Sequence, residues 1–198
     1  GQIGAAYVFD NSTYGPIGPF SGSRYRLTVQ QTTNDFQFTT FFADYRKYKN
    51  ISQRSVLAYR LLGGYSTGRD AQIYSIGGPY TFRGTDFNGL YGSKFLVQNL
   101  EYRFPLLPFL PPGYDFLSGV AFFDLAGAWG EDIPGLVKET FQPFSSDGGF
   151  ALNDLKGALG FGGRLNLGYV GLRLDIGWPT NLQDFGKPVT LFSIGADF

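Results

Sequence analysis

The chain has no cysteine, no histidine and no methionine. Thiol nucleophiles, serine–histidine triads and cysteine–histidine metal centres are therefore excluded. No enzyme activity, metal or cofactor is expected. Sixteen basic residues are cancelled by 16 acidic ones. A neutral chain offers no bulk field for nucleic acid, so no nucleic-acid partner is expected. No apolar run approaches the roughly 20 residues of a membrane-spanning helix. No leader peptide precedes Gly1-Gln2-Ile3, which leads us to expect a processed or truncated form.

Aromatic residues make up 18 % of the chain, with 21 Phe and 13 Tyr, and 29 glycines accompany them. Glycine averages about 7 % in soluble domains. Rings that pack on a pleated surface, with glycines that let strands bend, point to a β-barrel.

The hydrophobic pattern has a period of two through most of the chain. Residues 7–10 form a short candidate strand, and 10–22 are rich in turn-forming Gly and Pro. In residues 23–31, Tyr25, Leu27 and Val29 point one way and Arg24, Arg26, Thr28 and Gln30 the other. Residues 36–48 are less tidy, with Asp44 and Arg46 on the face of Phe36, Phe38 and Phe42. Further strands are expected at 55–65, 94–104, 117–129, 155–167, 170–178 and 189–198. In the last, Thr190, Phe192, Ile194, Ala196 and Phe198 share a face.

In lipid every backbone polar group needs an internal partner, so strands can span only as a closed barrel. Such barrels favour an even strand number. The expectation is one all-β domain over 1–198, an antiparallel transmembrane β-barrel of about eight strands, with 1–22 as a lead-in or partial strand. Long connections alternate with short ones. Trp129 and Trp178 stand at long-loop ends, where a membrane-interface aromatic belt belongs. The inward set is Arg24, Arg26, Asp44, Arg46, Arg60, Glu101, Arg103, Asp124, Lys156, Arg164, Arg173 and Asp175. Its mixed signs suggest a lumen packed with ion pairs rather than an open pore.

One connection stands apart. Between the strands at 55–65 and 94–104 lies a long loop carrying Gly77-Gly78-Pro79-Tyr80-Thr81-Phe82-Arg83-Gly84. The glycines permit close backbone packing, and proline rules out a regular ladder. A single cation, Arg83, sits among aromatic and glycine neighbours. A loop made only for water is not composed this way. We read it as folding inward and setting one guanidinium against buried carboxylates.

Gly77-Gly78-Pro79 followed by Phe82-Arg83-Gly84 resembles the loop signature of the BamA/TamA-type outer-membrane insertases and translocases. Five strands follow the loop, as in that family. NLEYRFP at 99–105, FFDLAGAW at 122–129, GLRLDIGWP at 171–179 and the terminal Phe198 resemble its last strands. DNSTYGPIGPFSGSRYRL at 10–27 adds to the likeness. The resemblance covers nearly the whole chain but only the C-terminal half of such a barrel, without the family's periplasmic POTRA domains. It implies that Arg83, next to Gly84, reaches the lumen and pairs with Glu101 and Asp124, anchoring the loop. It also implies that the final strand, through Phe192, Ile194 and Phe198, is the signal read by the barrel assembly machinery.

Three functions follow from the residues and the resemblance. The first is a barrel that helps insert client outer-membrane proteins through a weak seam between its end strands. The second is a structural outer-membrane barrel without that activity. The third is a soluble β-barrel that binds small ligands. Outer-membrane lipid is the expected surrounding, and a homodimer of half-barrels joined edge to edge is a further expected partner arrangement.

Overall fold

The structure is a computed structural model, described here for residues 1–15, 18–107, 109, 111, 116–130, 140–145, 151–167 and 170–195. Its described residues contain strands and no helix. In chain order these are β1 (Gln2–Asp10), β2 (Thr13–Gly15), β3 (Gly18–Thr32), β4 (Phe38–Ser52), β5 (Ser55–Thr67), β6 (Tyr74–Ile76), β7 (Leu90–Gly92), β8 (Lys94–Pro105), β9 (Leu117–Trp129), β10 (Phe144–Ser145), β11 (Ala151–Leu152), β12 (Lys156–Asn166), β13 (Gly171–Thr180) and β14 (Val189–Ile194).

Nine strands make one antiparallel meander in the order β1-β3-β4-β5-β8-β9-β12-β13-β14. Short β2 pairs with the start of β3, and β6 with β7 inside the long loop. The pattern gave about eight strands with a lead-in at 1–22. Instead Gln2–Asp10 is a full strand, paired with β3 from Gln2↔Thr32 to Asp10↔Arg24. Gly4, Ala5 and Ala6 give that strand little contrast between its faces, so period two is faint there. Phe36 lies before β4, exposed in the turn at 33–37, rather than on the strand face with Phe38 and Phe42. Among the described residues β1 and β14 are the two edges and are not paired with each other, so the expected closure is absent.

The two faces have opposite chemistry. Outward positions carry exposed Leu27, Val29, Phe41, Leu61, Leu96, Phe161, Leu174 and Phe192. Inward positions carry buried Asp44, Arg60, Asn99, Glu101, Arg103, Asp124, Arg164, Arg173 and Asp175. Arg46 is partly buried, while Arg24, Arg26 and Lys156 are exposed. The core therefore holds polar groups, and the apolar surface is on the outside. Among the described residues, buried apolar side chains form two small clusters. The larger joins Leu62, Ile76, Phe82, Phe95, Val97, Ala126 and Ala158. Six of these seven come from β5, β6, β8, β9 and β12, and Phe82 comes from the loop tip.

The sheet curls. Arg60 Nη1 of β5 donates to the Tyr80 carbonyl at 2.8 Å, and the Tyr80 hydroxyl donates to the Ile194 carbonyl of β14 at 2.7 Å. Five steps of the sheet separate those strands. In a flat sheet, at about 4.8 Å per step, they would be roughly 24 Å apart. One residue can bond to both only because the sheet wraps around it.

Candidate functional site: a loop pinned inside the curled sheet

Residues 68–93 leave the end of β5, form the β6–β7 hairpin and send their tip into the concave side. Gly77 and Gly78 open the tip with φ values of 143° and 87°, a region that L side chains rarely adopt. Thr81 closes the turn, donating its hydroxyl to the Gly77 carbonyl at 3.0 Å and its amide to Gly78 O at 3.3 Å. Phe82 then fills the apolar cluster with no exposed surface. The next residue points the opposite way, into the polar set.

Arg83 is 1 % exposed. Its Nε and Nη2 donate to Asp124 Oδ2 and Oδ1, both at 2.7 Å, and Nη1 donates to Glu101 Oε1 at 2.5 Å. Its backbone amide also donates to Asp124 Oδ2, at 3.2 Å. The guanidinium carbon lies over Phe122, 3.6 Å from the ring centroid. Only a planar fork of donors can meet one carboxylate side-on, a second end-on and a ring with its face. Burial works against the cation, but Asp124 and Glu101 outweigh it and hold Arg83 more firmly protonated than usual.

The carboxylates have further partners. Asn99 Nδ2 donates to Asp124 Oδ1 at 2.9 Å and to the Thr81 carbonyl at 2.7 Å. Arg103 Nε and Nη2 donate to Glu101 Oε2 at 2.8 and 2.7 Å. These partners come from strand geometry. Asn99, Glu101 and Arg103 alternate on one face of β8, and register sets Asn99 opposite Asp124.

Other side chains grip the tip by its backbone. Arg60, itself paired with Asp44 at 2.9 Å, takes Tyr80 O, and Arg173 Nη2 takes Pro79 O at 3.1 Å. Arg173 also faces the Tyr80 ring, 5.0 Å from its centroid. Small residues make room. A Cβ on Gly84 would come within 2.5 Å of Phe82 Cζ and 2.9 Å of Ala158 Cβ, and one on Gly177 would strike the Arg83 carbonyl.

The structure brings together Arg83, Gly84, Glu101 and Asp124. Phe192 and Ile194 are exposed on the outer face of β14, and the Ile194 carbonyl meets the loop through Tyr80. Phe198 lies outside the described residues. Trp129 ends β9, stacked on Phe141 with centroids 4.2 Å apart, and Trp178 packs on Phe161 near the end of β13. Sequence reasoning placed Arg60, Arg103 and Arg173 on the inward face without joining them to the loop. Tyr80 and Asn99 were not singled out. Asn99 had a signal, its parity with Glu101; a tyrosine bonded to a backbone carbonyl has none.

The family model of the Omp85 superfamily domain matches residues 2–198. The chain belongs to the Omp85 superfamily. Among solved structures, the crystal structure of BamA from Haemophilus ducreyi lacking POTRA domains 1–3 is similar at TM-score 0.71 with 14 % identity. The match covers 98 % of this chain and 42 % of that one, so this chain spans less than half the length of that BamA. A comparison with curated proteins gave no match. At that identity the likeness speaks for the fold: the open meander corresponds to part of an Omp85 barrel.

Proposed function

We propose that this chain is the C-terminal part of an outer-membrane barrel that assists insertion of other outer-membrane β-barrel proteins. The observation that carries the proposal is the loop, pinned by Arg83 between Glu101 and Asp124 on an inner face that carries further ion pairs, Arg60–Asp44 and Arg164–Asp175 among them. A barrel needing only to exist in lipid could fill its lumen from its own strands. Here several buried side chains from β5, β8, β9 and β13 are spent on holding one connection. The exposed apolar outer face supports membrane placement, since in water that face has nothing to cover it. The same face argues against a soluble ligand-binding barrel. No catalytic step belongs to the proposal. The loop anchor orders the interior, and β14 serves as one side of the seam.

Outer-membrane lipid, the assembly machinery and client barrels are the partners it implies. In lipid the edges β1 and β14 need covering. Further strands of a longer chain or a second copy would do so. The protein mass in detergent, corrected for bound detergent, separates a monomer from a dimer.

The functional test is client folding in liposomes. The reconstituted protein should speed folding of a small outer-membrane barrel over protein-free liposomes, and Arg83→Ala should reduce that gain. If the wild-type protein gives no gain, the structural-barrel reading replaces this one.

A further inference from the structure

Edge strand β14 offers its backbone selectively. The Gly195 amide donates to Gly171 O at 2.8 Å, and the register pairs Leu172 with Ile194, Leu174 with Phe192 and Ile176 with Thr190. In an antiparallel ladder, hydrogen-bonded and non-bonded pairs alternate. Gly171–Gly195 is a bonded pair, so Leu172–Ile194 is a non-bonded one. The N–H and C=O of Thr190, Phe192 and Ile194 therefore point away from β13, toward the open edge. Those are the groups that an added strand would use.

Ile194 O is already taken. Tyr80, 114 residues earlier, donates its hydroxyl to it at 2.7 Å. The loop tip that carries Arg83 thus also occupies the last outward carbonyl among the described residues of the edge. Gly195 is shaped for the contact. Its φ is 149°, and a Cβ there would stand 2.6 Å from the Tyr80 oxygen.

We propose that Tyr80 is a latch between the pinned loop and the end of β14. With the latch closed, a strand adding to this edge pairs along Thr190 and Phe192 but meets the Tyr80 hydroxyl at Ile194 and competes with it for that carbonyl. The loop's docking is thereby coupled to how far the edge can be extended. The consequence for strand addition rests on the proposal above that β14 borders a seam; the latch itself rests on the hydrogen bond and the register.

Tyr80→Phe tests it, because it deletes the hydroxyl and keeps the ring beside Arg173. The readout is residue-resolved hydrogen exchange in lipid vesicles at the Ser193 and Gly195 amides, which bond back to β13. Loss of one hydrogen bond should speed their exchange by on the order of fivefold. Tyr45→Phe, on the outer face, should leave them unchanged. Gly195→Ala should open the same amides by displacing the hydroxyl, and adding Tyr80→Phe to it should do nothing more. Unchanged exchange in Tyr80→Phe, or a further full increment in the double variant, overturns the latch. If wild type speeds client folding while Tyr80→Phe leaves exchange unaltered, the latch fails and the insertion proposal stands. If exchange responds but wild type gives no folding gain, the insertion proposal fails and the latch stands.

Discussion

Replacing Arg83 with alanine should cost far more than removing a surface charge, and the cost should fall on one identifiable group. Arg83 touches two buried carboxylates, but they are not left equally exposed to its loss. Glu101 keeps both bonds from Arg103. Among the described residues Asp124 keeps only Asn99 and the backbone amide of residue 83, so it becomes the uncompensated charge. Breaking a buried pair from one side typically costs about 3–5 kcal/mol. Most of that is the stranded charge, so neutralising Asp124 in the same molecule should restore roughly 2–3 kcal/mol. The assay is urea unfolding in phospholipid vesicles, followed by the fluorescence of Trp129 and Trp178. Arg83→Ala should unfold at clearly lower urea, and Arg83→Ala/Asp124→Asn should recover more than half of the loss. Arg24→Ala, which removes an exposed 3.5 Å pair with Asp10, should leave the midpoint in place. A wild-type midpoint for Arg83→Ala, or no recovery in the double variant, would refute the assignment.

Other variants probe the packing around the same loop. Phe82→Ala empties a fully buried ring site and should destabilise by about 3–5 kcal/mol in the same assay. Gly84→Ala pushes a methyl against Phe82 and Ala158 and should cost about 1–3 kcal/mol by overpacking. At the outer root of the loop, Asp70 accepts the Gln37 amide at 3.0 Å, and that bond, then Arg69, holds its carboxyl below the ordinary 3.8. A depressed carboxyl stabilises fully above its ordinary value and loses the effect as pH falls through the folded one. Protection of the Gln37 amide, normalised for intrinsic exchange, should hold down to about pH 4 and drop below it.

Strand alternation was legible wherever the two faces differ in chemistry. Leu96, Tyr102 and their neighbours against Asn99, Glu101 and Arg103 gave β8 its inward face directly. Small residues hid β1, because Gly4-Ala5-Ala6 carry almost no polarity contrast. The loop anchor was legible in part: Arg83 stood out by its neighbours, and its partners Glu101 and Asp124 came from family resemblance. Nothing local could supply the rest. Asp44 bonds both Arg46 and Arg60, two like charges set directly opposite by register, and only cross-strand pairing reveals why they coexist. Tyr80 meets a backbone carbonyl, which every residue has, so no residue type marks its partner.

The most direct measurement of loop docking exploits the absence of native cysteine. A Cβ on Gly84 would stand 2.9 Å from Ala158 Cβ. That is nearer than the roughly 3.8 Å of a relaxed disulfide, so the loop need back off by only about 1 Å. The pair Gly84→Cys/Ala158→Cys should form a disulfide under mild oxidation in vesicles, read as a mass loss of about two hydrogens and a mobility shift reversed by reductant. Gly84→Cys/Leu159→Cys, whose second position faces outward on the same strand, should not. A linked first pair and an unlinked second is the expected result. If the first fails to link, or both link alike, the loop does not lie inside the sheet against β12 and the anchored-loop account is wrong.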